Sequence, residues 1–157
     1  MLRHILSPGL TVSSAGYSAN NGLVLADFSL EITKRVHQLL PPLAIRSNHI
    51  DMGPACYDTE TIKKVIEVVL ADENIDGVLL YSVYASANRS LLNEITSLLK
   101  SDTRGKPIIS CFPSPTGVWV EEKQEFVRSG VVLYPTPERA AKVMGSLVKH
   151  AYRQAKN

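Results

Sequence analysis

The chain has 157 residues, of which 45% are apolar, and its 17 basic and 15 acidic residues leave a net charge of +2. This composition suits one globular domain with its own hydrophobic core, and the balanced charge excludes a general attraction to nucleic acid or to an anionic membrane. Two cysteines, Cys56 and Cys111, are too few for a disulfide framework. The sequence has neither a signal peptide nor an apolar run near 18 residues, so we expect a cytoplasmic protein.

The N-terminal third is predicted to contain a strand at 9–14, a helix at about 20–40 and a weak strand at 43–52. Two consecutive prolines end the helix, because proline has no N–H to donate within a helix. The uncharged segment SSAGYSANNG (13–22) then falls between the first strand and the helix. Backbone N–H groups at the start of a helix point toward open space, which makes this predicted turn a candidate phosphate site.

The rest of the chain alternates more clearly between strands and helices. The apolar stripe from Ile62 to Leu70 predicts a helix that Asp58 caps, and the apolar run 77–84 predicts a central strand. Thr136 and Pro137 predict the cap and the first position of a final helix. Between them we expect a helix at 91–99, a strand at 106–112, a helix at 118–128 and a strand at 130–135.

Five strands that alternate with five helices predict right-handed crossovers and a parallel sheet. We therefore expect α/β architecture, with a three-layer, doubly wound, five-stranded sheet of the flavodoxin-like kind in one domain over residues 1–157. Ligands of such folds bind outside the carboxyl ends of the strands. The loops to inspect are 15–21, 47–57, 82–88, 112–118 and 134–138.

Most of the sites known on this fold class lack their residues here. The chain has no acidic pair of a phosphoreceiver, no G-x-G-x-x-G dinucleotide turn, no P-loop and no G-x-S-x-G nucleophile elbow. Its histidines and cysteines show no metal-ligand spacing, although His49 lies on a loop at the expected site edge. Flavin binding stays open, because Tyr81, Tyr84 and Trp119 are aromatic rings that can stack on an isoalloxazine.

Several segments carry a resemblance to a known family. SGVVLYPTPERAAKVMGSLV resembles the segment that closes the C-terminal flavodoxin-like, succinyl-CoA synthetase-like domain of NDP-forming acyl-CoA synthetases. KPIISCF, LADENIDGVLL, LLPPLAIRSNHIDM and LTVSSAGYSANNGLVLAD are similar to earlier segments of that domain, in the same order. The resemblance covers the chain from about Leu10 to Val148.

The resemblance implies a domain or subunit of an acid–thiol ligase and not a complete enzyme. It implies partner domains that bind coenzyme A, carry a phosphohistidine and hold ADP or ATP in an ATP-grasp fold. A homo-oligomer is also compatible with it, and it implies neither a tightly bound cofactor, nor a metal, nor a catalytic residue on this chain. The alternative is a stand-alone module that binds a small anion, a nucleotide or FMN.

The site residues that the resemblance implies fall in three groups. A helix N-terminus at the turn would face the partner's phosphate through Gly16, Tyr17, Ser18, Ala19 and Asn20. Asn48 and Asp51 would brace the adjacent loop through hydrogen bonds to backbone, although this chain lacks the proline that the family has after the asparagine. Thr136 and Glu138 would fix the start of the last helix.

Overall fold

A computed structural model describes residues 3–4, 11–82, 96–98 and 103–154. Within these residues the strands are β1 (Arg3–His4), β2 (Val24–Leu25), β3 (Val78–Tyr81), β4 (Ile108–Cys111) and β5 (Val132–Tyr134). The α-helices are α1 (Thr11–Asn20), α2 (Leu30–Leu39), α3 (Thr59–Leu70), α4 (Val120–Arg128) and α5 (Pro137–Gln154). A 3₁₀ helix spans Gly53–Tyr57, and residues 96–98 are helical.

All of the described strand pairs are parallel, as predicted. β1 pairs with β2, and β3, β4 and β5 form a three-stranded sheet in that order. β1 also lies next to β3. The single five-stranded sheet is not confirmed, because the described strands form one sheet of two strands and one of three.

Alternating side chains of the central strands build two separate cores, which produces three layers. On one face, Leu79 and Ile109 pack with residues of α5 such as Met144. On the other face, Leu80 and Ile108 join a core that is completed by residues of α2, α3 and α4. Helices therefore cover both faces of the sheet, as a doubly wound fold requires.

The predictions for the N-terminal third are wrong. The segment predicted as strand 9–14 and turn 15–21 is largely the helix α1, and the predicted helix 20–40 is the strand β2 followed by α2. The weak strand at 43–52 is a loop that carries one antiparallel bridge, between Ile45 and Asp51. Two helices are therefore present where one was expected.

The end of α1 explains the error in physical terms. Gly22 has φ of 76°, its N–H bonds the carbonyl of Ala19, and the N–H of Leu23 bonds the carbonyl of Ser18. These two bonds and the left-handed glycine form a Schellman motif, which ends a helix. The Asn21-Gly22 pair, at the end of the segment that was predicted to be a turn into a helix, is thus the stop signal of the preceding helix.

The C-terminal two thirds follow the predictions closely. Asp58 caps α3 by accepting from the N–H groups of Glu60 and Thr61, and hydrogen bonds from Thr61 lower the pKa of its carboxyl. α5 begins at Pro137 as expected. The apolar pattern of this helix in the sequence predicts that Leu147 is buried, but Leu147 is 44% exposed and the next residue, Val148, is buried. Most of the predicted helix 91–99 lies outside the described residues.

Candidate functional site

The residues predicted to bind phosphate lie at the wrong end of a helix. Because β1 and β2 are parallel, α1 runs back across the sheet from the end of β1 to the start of β2. Its last turn therefore lies at the amino edge, which is the edge of the sheet where the strands begin. Gly16 to Asn20 occupy this C-terminal half, where free carbonyl groups and the negative end of the helix dipole disfavour an anion. Ser18 is moreover only 1% exposed. The expectation that these residues open a helix is therefore wrong, and phosphate binding by them stays an untested prediction.

Two connections leave the carboxyl edge of the three-stranded sheet within the described residues. Loop 112–119 joins β4 to α4, and residues 135 and 136 join β5 to α5. Tyr81, the last residue of β3, is fully buried, and its hydroxyl donates to the carbonyl of Pro137 at 3.5 Å. The carboxyl end of β3 is therefore tightly packed, and loop 112–119 extends from the carboxyl end of β4.

Loop 112–119 is held by a lysine that the sequence analysis missed. Lys123 Nζ on α4 donates a hydrogen bond to Ser114 Oγ, and that hydroxyl lies 3.2 Å from the carbonyl of Val118, to which it donates. Trp119, which precedes α4, has a left-handed φ of 57° and is 8% exposed. These contacts join residues with no recognisable spacing in the sequence, so only the folded loop reveals them.

The loop-bracing residues Asn48 and Asp51 do bond to backbone. Asn48 Nδ2 donates to the carbonyl of Ala26 at 3.1 Å, and Asp51 Oδ1 accepts from the N–H of Gly53 at 2.9 Å. The first bond ties the loop before the 3₁₀ helix to the residue that follows β2, and the second is local to the start of the 3₁₀ helix. A role of either residue in ligand binding stays a prediction.

Two residues in or next to this loop, His49 and Cys56, have polar groups that are affected by burial. His49 Nε2 is buried and has no hydrogen-bond partner within the described part of the chain. Burial, with the Asp51 carboxylate nearby, raises the pKa of the Cys56 thiol. A protonated thiol is a poor nucleophile and a poor metal ligand, which favours a structural role for Cys56.

Cys111 is a buried structural cysteine, as predicted. It is fully buried at the end of β4, and this burial raises the pKa of its thiol to about 12, although the nearby Lys123 acts in the opposite direction. The thiol therefore stays protonated and inert at neutral pH. It forms part of the apolar floor beneath the carboxyl edge.

The helix-cap residues lie at the start of α5. Thr136 Oγ1 accepts from the N–H of Arg139 at 3.3 Å, and Glu138 places an acidic group in the first turn of the helix. Both features stabilise a helix N-terminus. They lie beside the carboxyl edge without forming a site of their own.

Two of the three aromatic residues suggested for flavin stacking are buried. Tyr81 is 0% exposed and Trp119 is 8% exposed, so neither ring presents a face to a ligand. Tyr84 lies outside the described residues. Over the described ranges, no three His, Cys, Asp or Glu side chains cluster to hold a metal ion, and none of the helices there has the length and hydropathy needed to cross a membrane.

Comparison with known proteins gives consistent relatives, although no protein-family model matches the chain. Over 146 residues it is 30% identical to an ADP-forming acetate–CoA ligase II of Archaeoglobus fulgidus, a match that covers 90% of the chain and 21% of the relative. It is 27% identical over 148 residues to the alpha subunit of such a ligase from Pyrococcus furiosus, covering 91% of the chain and 32% of the subunit. The chain therefore spans only a fifth to a third of these relatives.

Solved structures share the fold. A protein from Pyrococcus horikoshii OT3 superposes with a TM-score of 0.83 and 23% identity, over 96% of this chain and 36% of its own. A dinucleotide-forming acetyl-coenzyme A synthetase 1 of Ca. Korarchaeum cryptofilum superposes with a TM-score of 0.82 and 21% identity in its complex with phosphate and ADP, over 98% of this chain and 34% of its own. The chain is thus homologous to a segment of ADP-forming acetate–CoA ligases, which confirms the resemblance to NDP-forming acyl-CoA synthetases.

Proposed function

We propose that this chain acts as a CoA-ligase-type domain of an ADP-forming acyl-CoA synthetase, with the carboxyl edge of its sheet facing a phosphoryl group on a partner domain. The observation that carries the proposal is the match to ADP-forming acetate–CoA ligases over nine tenths of the chain. Because those relatives are three to five times longer, the activity would belong to an assembly. Coenzyme A and ADP or ATP would be bound there, on CoA-binding, phosphohistidine and ATP-grasp domains.

The phosphate-facing role moves to the other end of α1. The resemblance implies a helix N-terminus after the first strand, and α1 begins at Thr11, after β1. The beginning of a helix carries free N–H groups and about half a positive charge, which stabilise a phosphate. We assign the phosphoryl group to this end, at the carboxyl edge, and not to residues 16–20.

A chimeric enzyme tests the proposed function. The segment of the Pyrococcus furiosus alpha subunit that matches this chain is replaced by the chain, and ADP-dependent acetyl-CoA formation is measured with the rest of that enzyme present. We expect activity above that of a subunit from which the segment is deleted. A folded, assembled chimera without activity would contradict the proposal, and circular dichroism with size-exclusion chromatography establishes folding and assembly.

A ligand screen on the isolated chain separates this proposal from the stand-alone binding module. Thermal unfolding is followed with phosphate, coenzyme A, acetyl-CoA, ADP, ATP and FMN, one at a time. A ligand at about a hundred times its dissociation constant adds roughly 2.7 kcal/mol to the stability, which shifts the midpoint by several degrees. A shift with FMN alone would favour the stand-alone module.

A further inference from the structure

The hydrogen bonds around Lys123 define the role of Ser114 in this pair. Ser114 Oγ accepts from Lys123 Nζ and directs its own proton to the carbonyl of Val118. A serine hydroxyl has one proton, so the bond to the lysine uses a lone pair of the oxygen. A serine nucleophile would instead donate its proton to a neutral lysine. The pair is therefore a lysine held by a loop hydroxyl and not a hydrolytic dyad.

Lys123 differs from several exposed cations on the described helices. Several exposed cations form ion pairs along their helices: Arg35–Glu31, Lys64–Glu60 and Arg128–Glu125. Lys123 takes part in none of the ion pairs among the described residues, and its partner Ser114 is neutral. A partly buried charge loses hydration, and a neutral hydroxyl replaces only part of it. An ammonium has three N–H donors, of which Ser114 takes one.

The loop that holds Lys123 is conformationally specialised. Gly117 has φ of 79°, and Trp119 adopts a left-handed φ of 57°, a conformation that bulky residues rarely take. Such residues persist only where surrounding contacts enforce them. Here the indole is buried, and the Ser114–Val118 hydrogen bond lies in the segment that precedes it. These contacts anchor the loop to which Lys123 is bonded.

We propose that Lys123 is an anion-binding residue that Ser114 positions at the carboxyl edge, where it contacts the phosphoryl group of the proposed function, on which this inference rests. β1 lies next to β3, and β3 pairs with β4, whose carboxyl end leads into the loop that holds Lys123. The inference brings Lys123 and the start of α1 to the same phosphate group.

Phosphate binding by the isolated chain is the first test. The unfolding midpoint is measured against inorganic phosphate at constant ionic strength, for the wild type, Lys123→Met, Lys123→Arg and Lys142→Met. We expect Lys123→Met to weaken the apparent dissociation constant at least tenfold and Lys123→Arg to restore most of the affinity. Lys142, an exposed lysine on α5, is the matched control and should leave the affinity unchanged.

The chimeric ligase is the second test, because the phosphoryl group can belong to a partner side chain and not to a free ligand. Lys123→Met should then lower kcat at least tenfold in the chimera, and Ser114→Ala should lower it less, since it removes only the positioning contact. An effect on the isolated chain indicates a free phosphate, and an effect in the chimera alone indicates a phosphate carried by the partner.

Lys123→Met that equals the wild type in both tests would overturn the inference. An active chimera that is insensitive to Lys123→Met removes the inference and leaves the proposed function intact. If the wild-type chimera is inactive but the isolated chain binds phosphate through Lys123, the proposed function fails and the anion-binding role of Lys123 stands. Retained circular dichroism and an unchanged unfolding midpoint without phosphate exclude misfolding of the variants as the cause.

Discussion

The two edges of the three-stranded sheet differ in how their polar groups are satisfied. At the amino edge, Lys106 Nζ donates to the carbonyl oxygens of Leu70 and Asp72 at 2.7 and 2.6 Å, which closes the end of α3. The buried Asp72 carboxylate accepts from the N–H groups of Ser29 and Asn74 at 2.8 and 3.0 Å. The Lys106 ammonium and the Asp72 carboxylate therefore each have two hydrogen-bond partners on the protein.

The carboxyl edge is built in the opposite way. Lys123 meets a neutral hydroxyl, and Trp119 holds an unfavourable backbone conformation. A contact network that satisfies its own charges stabilises the fold, whereas a cation that forms no ion pair among the described residues favours an external anion. The comparison teaches that the amino edge holds the domain together and that the carboxyl edge is where a ligand is expected.

The largest expected effect is that of Asp72→Ala. The substitution leaves the N–H groups of Ser29 and Asn74 without their acceptor and removes the carboxylate that favours the ammonium of Lys106, whose pKa burial otherwise lowers. We expect a loss of about 3 kcal/mol in the free energy of unfolding, measured in urea. Glu73→Ala, at an exposed neighbour, should change it by less than about 0.5 kcal/mol. Equal losses of unfolding free energy for Asp72→Ala and Glu73→Ala would show that the hydrogen bonds of Asp72 do not stabilise the amino edge.

Gly145→Ala tests the packing of α1 on α5. A Cβ at Gly145 would lie 2.6 Å from the backbone carbonyl oxygen of Asn21, which follows the last residue of α1. The clash is with backbone, so one of the two helices must shift. We expect a loss of about 2 kcal/mol. Ser146→Ala, at the exposed next position, is the control, and a tolerated Gly145→Ala would show that α1 is free to move at its amino-edge end.

Sequence reasoning succeeded where local signals agree. α3 and α5 carry an apolar stripe together with a polar cap, and β3 and β4 are continuous apolar runs, so propensity and burial pattern give the same answer. It failed for α1, which is uncharged and rich in serine and depends on packing against α5. The sequence signal that was available there is the Asn-Gly pair, which ends a helix in a Schellman motif.

The functional residues were harder to predict than the fold. Lys123 and Ser114 are nine residues apart and meet only because the loop between them folds around Trp119. Asp72 was noticed as part of a family-like segment, but its partner Ser29 is 43 residues away. Contacts of this kind depend on tertiary structure, and no spacing rule contains them.

Cys111 sharpens the comparison through pH. Burial raises the pKa of its thiol from the usual 9.0 to about 12, so the folded state keeps a proton that the unfolded state loses. Stability should therefore fall as the pH rises from 9 toward 12, by up to about 1.4 kcal/mol per pH unit. Cys111→Ala should flatten this slope, measured by urea unfolding at several pH values. Equal slopes for the wild type and Cys111→Ala would mean that water reaches the Cys111 thiol beneath the carboxyl edge.

Gly16→Ala gives the smallest expected effect and separates the two ends of α1. Gly16 lies inside the helix, and an added Cβ would meet no atom within 4 Å, so alanine should stabilise the protein by up to about 1 kcal/mol. Thermal unfolding measures this gain. Because residue 16 lies toward the amino edge, phosphate binding and chimera activity should be unchanged. A stable Gly16→Ala variant that loses phosphate binding would instead place the anion at the C-terminal half of α1 and contradict the division between the edges.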